Sequence, residues 1–314
     1  MSLQNKSIFI TGGAGTLGRE LIRRIYEKGY DSRITIFSTD TLKHSVIKRM
    51  YPGVHCVVGD VREPVTVYNA MAGHDVVIHA AAVKHIPVSE ENSIDTYQIN
   101  VEGSINVANA AIHHGIEHVV GISTDKVCHA ANAYGATKYL MEKIWQEYSR
   151  LPIDTKFHLV RYGNVLESTA SVIEIWKEQI RRGEPIVVTN PFMTRFWLSP
   201  AQAAELVEIA MTLESGNILI PKMKSLSIQE LIDFTVGEPP FGIKRVALRA
   251  GEKIHETLLT IEETEYATES DNFYILRPTT TVSEFQGIQP LDSNNAPRLT
   301  ENELMELLEN DIPA

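Results

Sequence analysis

The sequence has only two cysteines, no excess of positive charge and no long apolar run. Cys56 and Cys128 lie far apart, without metal-site spacing, which argues against a disulfide scaffold or a zinc site and for a reduced compartment. Acidic residues outnumber basic ones by 40 to 29 and no basic tract occurs, which disfavours nucleic acid and anionic membranes as partners. No apolar run approaches the roughly 20 residues that cross a bilayer. The polar start, Met1 to Lys6, predicts no signal peptide, so we expect a soluble, cytoplasmic protein.

The 314 residues exceed one typical domain and are long enough for a two-lobed α/β enzyme. Short apolar runs alternate with helical patterns in the first half, which predicts a Rossmann-type doubly wound parallel sheet with a smaller C-terminal α/β lobe. We expect a cofactor-binding Rossmann domain with the catalytic residues at 1–165 and a substrate-binding lobe at 166–278. The Ser-, Asn- and Pro-containing segment at 279–314 is expected to wrap around the molecule as a tail.

A glycine-rich turn follows the first predicted strand and opens a helix. Gly12, Gly15 and Gly18 have the spacing typical of a dinucleotide pyrophosphate site, where backbone amides and the positive helix N-terminus face the phosphates. Thr16 and Leu17 lie in the same turn and are included in the predicted cofactor site. The alternative is a glycine turn that serves packing alone, and the order strand, turn, helix disfavours it.

The end of the second predicted strand is expected to meet the adenosine ribose. An acidic residue there favours NAD and a cationic one NADP. Ser38 and Thr39 stand at this tip, with Asp40 and Lys43 just beyond. Ser38 has no charge to repel a 2′-phosphate and Lys43 is within reach of one, so the residues favour NADP and leave NAD open.

Further cofactor contacts are predicted at the ends of later strands and on the helices that follow them. Lys84 has two interpretations, a cofactor or substrate contact and a solvated lysine. The complete further set is Asp60, Val61, Ala80, Ala81, Ala82, Lys84, Asn100, Ser123, Tyr162 and Val165.

The stretch from residue 118 to residue 138 carries the candidate catalytic groups. Thr124, Asp125 and Lys126 follow a short apolar strand, where open α/β sheets place their ligands. Tyr134 and Lys138 are four residues apart, so on a helix they share one face. A lysine ammonium so placed favours the phenolate and prepares the tyrosine as a general base. Together with the cofactor-site residues, Tyr134 and Lys138 are also predicted to contact the cofactor.

A second tyrosine, Tyr139, also has a lysine, Lys143, four residues later. An isolated pair of this kind is more often a solvated helix face than a catalytic one. Tyr134 differs because it enters its helix through Gly135 and Ala136, small residues that permit close approach, and because it follows the polar strand end. We therefore assign the catalytic role to Tyr134.

Substrate contacts are expected mainly in the second lobe. Arg195 lies among aromatic residues, where it either grips a phosphate or base or forms a packed cation–π pair. Arg249 supplies a second cation, and two separated arginines suit a diphosphate. The histidines at 113, 114 and 118 lack carboxylate support and are interpreted as surface or core residues, with no metal site. The predicted substrate-binding set is Lys84, Asn164, Val172, Thr189, Met193, Arg195, Arg249 and Glu252.

Several motifs occur in order along both lobes and resemble one family. The glycine loop, the strand with Thr124 and the Tyr134–Lys138 pair resemble the extended short-chain dehydrogenases/reductases, and within them the inverting UDP-N-acetylglucosamine 4,6-dehydratases. The motifs that carry this closer resemblance are Ala80-Ala-Ala-Val-Lys84, Ser123-Thr-Asp-Lys126, Arg161-Tyr-Gly-Asn-Val165, Met193-Thr-Arg-Phe196, Ile220-Pro-Lys222 and Arg249-Ala-Gly-Glu-Lys253. The resemblance implies bound NADP, a UDP-sugar substrate, a homo-oligomer and a 4-keto-6-deoxy product with inverted C5.

The Asp125–Lys126 pair distinguishes this reaction from related ones. A 4-epimerase needs only the tyrosine, the lysine, a hydroxyl and the cofactor, and the retaining dehydratases have Asp-Glu after the Thr. The resemblance implies that Tyr134, tuned by Lys138 and assisted by Thr124, takes the C4 hydroxyl proton. It also implies that Lys126 removes the C5 proton and that Asp125 protonates the C6 oxygen. We expect Lys138 and a cationic cofactor ring to lower the pKa of Lys126.

The chain departs from this family at two informative places. Thr39 stands where the family usually has Arg, which bears on the choice between NADP and NAD. Glu167 occupies a loop that usually reads Gly-Ser-x-x-Ser, and a carboxylate near a diphosphate is unfavourable unless it points away. Two other readings remain, a UDP-hexosamine 4-epimerase or retaining dehydratase and, in another class, a non-catalytic NADP-binding sensor.

Overall fold

The strands and helices are those of a computed structural model that describes residues 2–166, 171–277 and 287–309. Within these residues the strands are Ser7–Thr11 (β1), Arg33–Ser38 (β2), His55–Val58 (β3), Val76–His79 (β4), His118–Thr124 (β5), Lys156–Tyr162 (β6), Asn164–Val165 (β7), Ile186–Val188 (β8), Thr194–Leu198 (β9), Ile218–Pro221 (β10), Ser225–Ser227 (β11), Ile243–Arg245 (β12), Thr257–Leu259 (β13), Ala267–Glu269 (β14), Phe273–Leu276 (β15) and Leu291–Asp292 (β16). The α-helices are Thr16–Glu27 (α1), Thr41–Met50 (α2), Pro64–Met71 (α3), Ile86–Glu91 (α4), Ser93–Tyr97 (α5), Gly103–His113 (α6), Ala133–Tyr148 (α7), Val172–Arg181 (α8), Pro200–Ala210 (α9), Ile228–Thr235 (α10) and Glu301–Glu309 (α11). A π-helical turn at Gln98–Glu102 and 3₁₀ turns at Asp125–Val127 and Glu263–Tyr266 complete the helical structure.

The main sheet has the order β14-β15-β10-β6-β5-β4-β1-β2-β3. The strands from β3 to β10 run parallel, and β15 and β14 add two antiparallel strands at one edge. This is the predicted Rossmann-type doubly wound sheet, which is confirmed. The order reverses between β1 and β4, so a crevice opens there at the carboxyl ends of the strands.

The central strands are apolar on both faces because helices cover both sides of the sheet. Ile8, Phe9 and Ile10 of β1 are fully buried. On α1 the apolar residues repeat at helical spacing and form one buried face, which packs against the sheet and α9. The buried members of this face include Leu17, Leu21, Ile22 and Ile25, as the apolar spacing in the sequence predicts.

Three elements differ from the sequence pattern, which predicts a helix at 96–113, a strand at 118–122 and no regular element in the aromatic segment at 190–197. The helix begins earlier, at Ser93, and is interrupted by the π turn. The strand expected to end at Ile122 continues through Thr124 because Ser123 and Thr124 pair with Arg161 and Tyr162 of β6. The aromatic segment after Asn190 contains a fully buried strand, β9, which pairs with β7 and β11.

The second lobe is not continuous in sequence. The helix α9 and the strands β10, β14 and β15 lie within the predicted 166–278 lobe, yet they extend the main sheet and its apolar core. A second, smaller core joins α8, β8, β9, α10 and part of the tail. Its buried members are Leu166, Ile173, Trp176, Ile186, Val188, Trp197, Leu226, Leu231, Ile232, Leu299 and Leu304.

The described part of the tail packs on this second core. The strand β16 pairs antiparallel with β13, Arg298 bridges to Ser225, and α11 contributes Leu304 to the smaller core. None of the helices in the described ranges combines the length and apolarity that a bilayer span requires.

Candidate active site

The glycine turn before α1 allows two backbone segments to approach closely. Gly12 has a φ of +65°, and a Cβ added to it would lie 2.7 Å from the backbone nitrogen of Ala81. A Cβ at Gly18 would lie 2.2 Å from the carbonyl oxygen of Gly13. Gly15 caps α1 without a side-chain hydrogen bond, so no side chain of the cap competes for the first amides of this helix. The turn therefore fits an anionic ligand held by backbone amides.

A cleft of about 550 Å³ opens beside this turn, at the reversal of strand order. Ala14, Phe37, Asp40, Gly59, Arg62, Val83 and Ile99 also line it and were not in the predicted site. The predicted cofactor residues that line it are Gly12, Gly15, Ser38, Thr39, Lys43, Asp60, Val61, Ala81 and Ala82.

Other predicted cofactor residues lie beside the cleft without lining it. Leu17 belongs to the buried core, Gly18 packs on the backbone of Gly13, and the backbone of Ala80 contacts Gly12. Thr16 is the first residue of α1. The predicted cofactor contacts of these four residues stay predictions.

The end of the cleft next to the tip of β2 carries paired charges. Lys43 Nζ lies 3.0 Å from Asp40 Oδ2, and hydrogen bonds from Lys43 hold the pKa of Asp40 below its usual value. Arg62 contacts Asp60 and Asp95 at 2.6 Å each, and it lowers the pKa of Asp60. Arg62 was not in the predicted site, although its position directly after Asp60-Val61 in the sequence could have indicated that it lines the cleft.

Asn100 shapes the cleft wall from within the protein. It lies in the π turn, is fully buried, accepts from the Val83 backbone nitrogen at 2.8 Å and donates to Thr137 Oγ1 at 3.0 Å. Its amide thus has partners within the protein, and the predicted cofactor contact stays a prediction. Asn100 ties the Val83 wall of the cleft to α7, and π turns frequently occur at functional sites.

Ser123 also points away from the cleft. Its hydroxyl donates to Glu142 Oε1 at 2.5 Å, and Glu142 in turn holds the fully buried Arg161 at 2.7 Å. Arg161 also contacts Glu263 at 2.8 Å. The Ser123 hydroxyl therefore belongs to an ionic network that joins β5, β6, α7 and the Glu263–Tyr266 turn, and the predicted cofactor contact of this residue stays a prediction.

The residues after β5 form a compact polar cluster. Asp125 Oδ1 accepts from Thr124 Oγ1 at 2.9 Å and from Lys126 Nζ at 2.7 Å. Lys126 Nζ also donates to Asn164 Oδ1 at 3.1 Å and lies 3.7 Å from Glu256 Oε1. Glu256, from the loop before β13, was not predicted.

Burial and neighbouring charges set the protonation of this cluster. Burial raises the pKa of Asp125, and the negative charge of Glu256 adds to that rise. Burial acts to lower the pKa of Lys126, but Asp125 and Glu256 outweigh it and raise the pKa. The prediction that Lys138 lowers the pKa of Lys126 is therefore wrong, because two carboxylates lie closer to this ammonium.

Tyr134 and Lys138 lie on α7 beside the cluster. Asn132 caps this helix by accepting from the Gly135 backbone nitrogen at 2.8 Å. Burial lowers the pKa of Lys138 to about 7, and its Nζ contacts Met141 Sδ at 2.9 Å. Burial raises the pKa of Tyr134, while the Thr124 hydroxyl and the charge of Lys126 lower it. The cation that acts on Tyr134 here is thus Lys126, which corrects the predicted tuning by Lys138.

Gly135 brings α7 against the Asp125–Val127 turn. A Cβ at Gly135 would lie 2.1 Å from the Lys126 carbonyl oxygen, so no other residue fits without displacement. Ala136 is exposed and has no part in this contact. Tyr139 is 44% exposed and lies beneath Lys143 Nζ at 5.2 Å, which is the solvated arrangement expected for the second pair.

The predicted substrate residues are distributed around β7, β8 and β9. Asn164 and Val165 form β7, and Val172 is the first residue of α8. Thr189 Oγ1 contacts the sulfur of the buried Met193 at 3.2 Å. Tyr162 is buried, and burial raises its pKa.

Arg195 is a buried arginine whose guanidinium contacts backbone carbonyl oxygens. It is 7% exposed and donates to the carbonyl oxygens of Thr194, Ile254 and Lys253 at 2.7 to 3.2 Å. Backbone carbonyls therefore hold this guanidinium, and its predicted contact with a phosphate or a base stays a prediction.

The remaining predicted contacts are exposed or half-buried. Arg249 is exposed, and its backbone nitrogen donates to Glu252 Oε2 at 3.3 Å. Lys84 is exposed, at the end of the segment that follows β4. Glu167 lies outside the described residues.

The histidines have ordinary partners. His113 contacts the Tyr68 hydroxyl at 2.5 Å, and His118 pairs with His158 at 2.9 Å. In the described part of the chain, no group of three His, Cys, Asp or Glu side chains is arranged to hold a metal ion.

Two curated relatives are similar over most of the chain. The UDP-N-acetylglucosamine 4,6-dehydratase (inverting) of Campylobacter jejuni subsp. jejuni serotype O:2 is 34% identical over 279 residues, which cover 87% of this chain and 83% of that protein. The UDP-glucose 4-epimerase of Rickettsia massiliae is 34% identical over 280 residues, covering 86% and 82%.

Solved structures share the fold. Pen from Bacillus thuringiensis superposes with a TM-score of 0.91 at 29% identity, covering 99% of this chain and 98% of that one. The dTDP-glucose 4,6-dehydratase DesIV from Streptomyces venezuelae, solved with NAD and TYD bound, has a TM-score of 0.71 at 19% identity, covering 79% and 86%. The latter likeness concerns the fold alone.

A family comparison matches residues 8–278 to the family described as polysaccharide biosynthesis protein. The match extends from β1 to the end of β15 and includes the glycine turn, the Thr124–Lys126 cluster and Tyr134. This protein belongs to the polysaccharide biosynthesis protein family, within the extended short-chain dehydrogenases/reductases.

Proposed function

We propose that this protein is an NADP-dependent UDP-N-acetylglucosamine 4,6-dehydratase that inverts C5. The observation that carries the proposal is the buried Asp125–Lys126 contact of 2.7 Å at the carboxyl end of β5. This contact supports the proposal because it would bring an acid and a base together next to Tyr134. A 4-epimerase has no step that requires such a pair.

The cleft beside the glycine turn fits a nicotinamide dinucleotide. The amides around Gly12 and Gly15 would hold the pyrophosphate, and Thr39 and Lys43 would face the adenosine ribose. When bound, the cofactor accepts a hydride from C4 and returns it to C6. NADP is favoured over NAD because Lys43 offsets the charge of Asp40, so no unpaired carboxylate in this part of the described cleft repels a 2′-phosphate.

Tyr134 is placed to accept the C4 hydroxyl proton. Its hydroxyl interacts with Thr124, and the positive charge of Lys126 favours the phenolate. Lys138 has a pKa of about 7, so it can hold or release a proton near neutral pH. These groups provide the proton transfer that accompanies oxidation at C4.

Asp125 and Lys126 are placed to perform the elimination of water. If the proton in their hydrogen bond moves to Asp125, the carboxyl becomes the acid and Lys126 the neutral base. Lys126 then takes the C5 proton, the C5–H electrons form the C5–C6 double bond, and Asp125 protonates the departing C6 hydroxyl, which leaves as water. Asp125 Oδ2 has no hydrogen-bond partner among the described residues and is the oxygen left to carry that proton. Protonation of C5 on the opposite face then inverts this centre.

A UDP-sugar 4-epimerase is the second candidate, because a relative with that name has the same identity to this chain. It would use Tyr134 and Lys138 and leave Lys126 without a chemical role. Incubation with UDP-N-acetylglucosamine in deuterated water distinguishes the two by mass spectrometry and proton NMR. Loss of one water, with deuterium at an inverted C5, is expected, and a mass-neutral C4 epimer would overturn the proposal.

The variant Lys126→Ala tests the assignment of the base. It is expected to block water loss, because the elimination needs Lys126 as its base. Cofactor reduction at C4 should persist at a lower rate, since Tyr134 loses a positive charge that favours its phenolate. The matched control is Lys143→Ala, which removes the lysine of the solvated pair and should retain turnover. Complete loss of cofactor reduction in a folded Lys126→Ala protein would contradict the assignment.

The cytoplasmic location and the homo-oligomer remain predictions, and light scattering on the purified protein tests the latter.

A further inference from the structure

Glu256 is a buried carboxylate that takes no part in the proposed elimination. It is 2% exposed, and its Oε1 lies 3.7 Å from Lys126 Nζ and 3.9 Å from Arg195 Nε. Its Oε2 lies 3.5 Å from Lys253 Nζ. Since an isolated buried charge is costly, the carboxylate persists here because three cations surround it.

The second lobe and the tail hold Glu256 in this position. Its backbone nitrogen donates to Ser293 Oγ at 2.8 Å, and the Ser293 backbone nitrogen donates to the Glu256 carbonyl at 2.7 Å. The Ser293 hydroxyl also lies 2.7 Å from Thr194 Oγ1 of β9. A carboxylate fixed from the second lobe is thus set against the Asp125–Val127 turn of the first.

We propose that Glu256 is a positioning residue that sets the pH range in which Asp125 and Lys126 together hold a single proton. This inference rests on the proposed dehydration, which needs one shared proton, on Asp125 as acid with Lys126 neutral as base. If the pair binds a second proton, Lys126 is charged and cannot act as the base. If the pair loses its only proton, Asp125 is ionised and cannot act as the acid. Glu256 touches neither reacting atom and acts through Lys126.

The charges around the pair predict the direction of its effect. The negative charge of Glu256 raises the pKa of both Asp125 and Lys126, whereas Arg195 lowers that of Lys126. Arg195 and Lys253 face Glu256, and Thr124 and Tyr134 face the pair from β5 and α7. Removing the carboxylate should therefore lower both macroscopic pKa values of the pair.

The pH dependence of kcat/KM tests this proposal with the variant Glu256→Gln. The acid limb of the profile reports protonation of the base, and the alkaline limb reports ionisation of the acid. Both limbs should therefore move to lower pH in Glu256→Gln, by about one unit for the loss of a charge 3.7 Å from Lys126 Nζ. Ser293→Ala is the matched control, because it loosens the backbone of Glu256 and keeps the carboxylate. Unmoved limbs in Glu256→Gln, or an equal movement in Ser293→Ala, would overturn the proposal.

A second measurement separates this inference from the proposed function. Lysine labelled with carbon-13 at Cε allows NMR titration of Lys126, assigned by comparison with Lys126→Arg, whether or not the protein dehydrates a sugar. Lys126 should lose its proton at lower pH in Glu256→Gln than in the unsubstituted protein, and an unchanged titration refutes the inference. Failure of the unsubstituted protein to release water from UDP-N-acetylglucosamine refutes the proposed function instead. If Glu256→Gln does not fold, Glu256→Asp provides the comparison. The shorter aspartate side chain sets its carboxylate farther from Lys126 Nζ, so the pKa of Lys126 should fall in this variant too, but by less.

Discussion

Tyr134 and Tyr139 show how far one residue's surroundings determine its chemistry. Both lie on α7 and both have a lysine four residues later, so the local sequence treats them alike. Tyr134 is half-buried beside Thr124 and Lys126, whereas Tyr139 faces solvent with Lys143 above its ring. Only the first tyrosine can exchange a proton with a ligand in the site.

This contrast yields a prediction for two matched variants. Tyr134→Phe should lower kcat by about 10²–10⁴-fold, because it removes a general acid–base group. Tyr139→Phe removes the same oxygen from an exposed position and should change kcat by less than about twofold. Steady-state turnover of UDP-N-acetylglucosamine, with thermal unfolding as a check on folding, measures both. Similar losses in the two variants would contradict the assignment of Tyr134.

At the scale of elements, the N-terminus of α7 holds the site together. Gly135 packs on the Lys126 carbonyl, and the Asn132 side-chain amide donates to the Gly251 carbonyl of the second lobe at 2.8 Å. Gly251 has a φ of +75°, and a Cβ on it would lie 2.7 Å from the Cβ of Asn132. The start of one helix thus contacts both the catalytic turn and the Arg249–Lys253 loop.

Gly135→Ala tests this packing. The added methyl group must displace the Asp125–Val127 turn, so we expect at least a tenfold loss of kcat and about 1–3 kcal/mol of stability. Ala136→Ser adds an atom at the next, exposed position and should leave both quantities close to their original values. Urea unfolding and turnover provide the two readouts. A Gly135→Ala protein with full activity would show that the close contact does not position Lys126.

At the scale of the whole molecule, the sheet buries neutral histidines in its core. His79 is fully buried between Thr11 and Ser104, and His158 is buried against His118. Burial lowers the pKa of each, His79 and His158, to about 3. In the unfolded chain a histidine binds a proton with a pKa near 6.5, so acidic pH favours the unfolded state, in which these two histidines can be protonated.

The stability contributed by these two histidines is present above pH 6.5 and is lost as the pH falls towards 3. At pH 5 the free energy of unfolding should be lower than at pH 7 by roughly 2 kcal/mol for each histidine. Urea unfolding at both pH values measures this change. His158→Gln should reduce the pH dependence, because it removes one of the two buried histidines. An equal pH dependence in the His158→Gln protein would refute the assignment.

Local sequence was sufficient for the parts of the fold that depend on neighbouring residues. The glycine turn and the strands that form the parallel sheet were predicted because their signals lie within one strand–turn–helix unit. The helix that contains Asn100 was predicted without its π turn, since nothing in its periodicity marks the extra residue. The strand β9 was missed because its apolar and charged residues are all buried and do not alternate.

The sequence by itself determined the fold class, the cofactor cleft and the identity of the candidate catalytic residues. The catalytic candidates could be recognised together because they all lie between Thr124 and Lys138. The tertiary structure decided their charge states. Lys126 and Glu256 are separated by 130 positions in the chain and meet at 3.7 Å only because the second lobe and the tail fold against β5. Electrostatic energy falls with distance in space and not with separation in sequence, so the raised pKa of Lys126 became evident only in the folded chain.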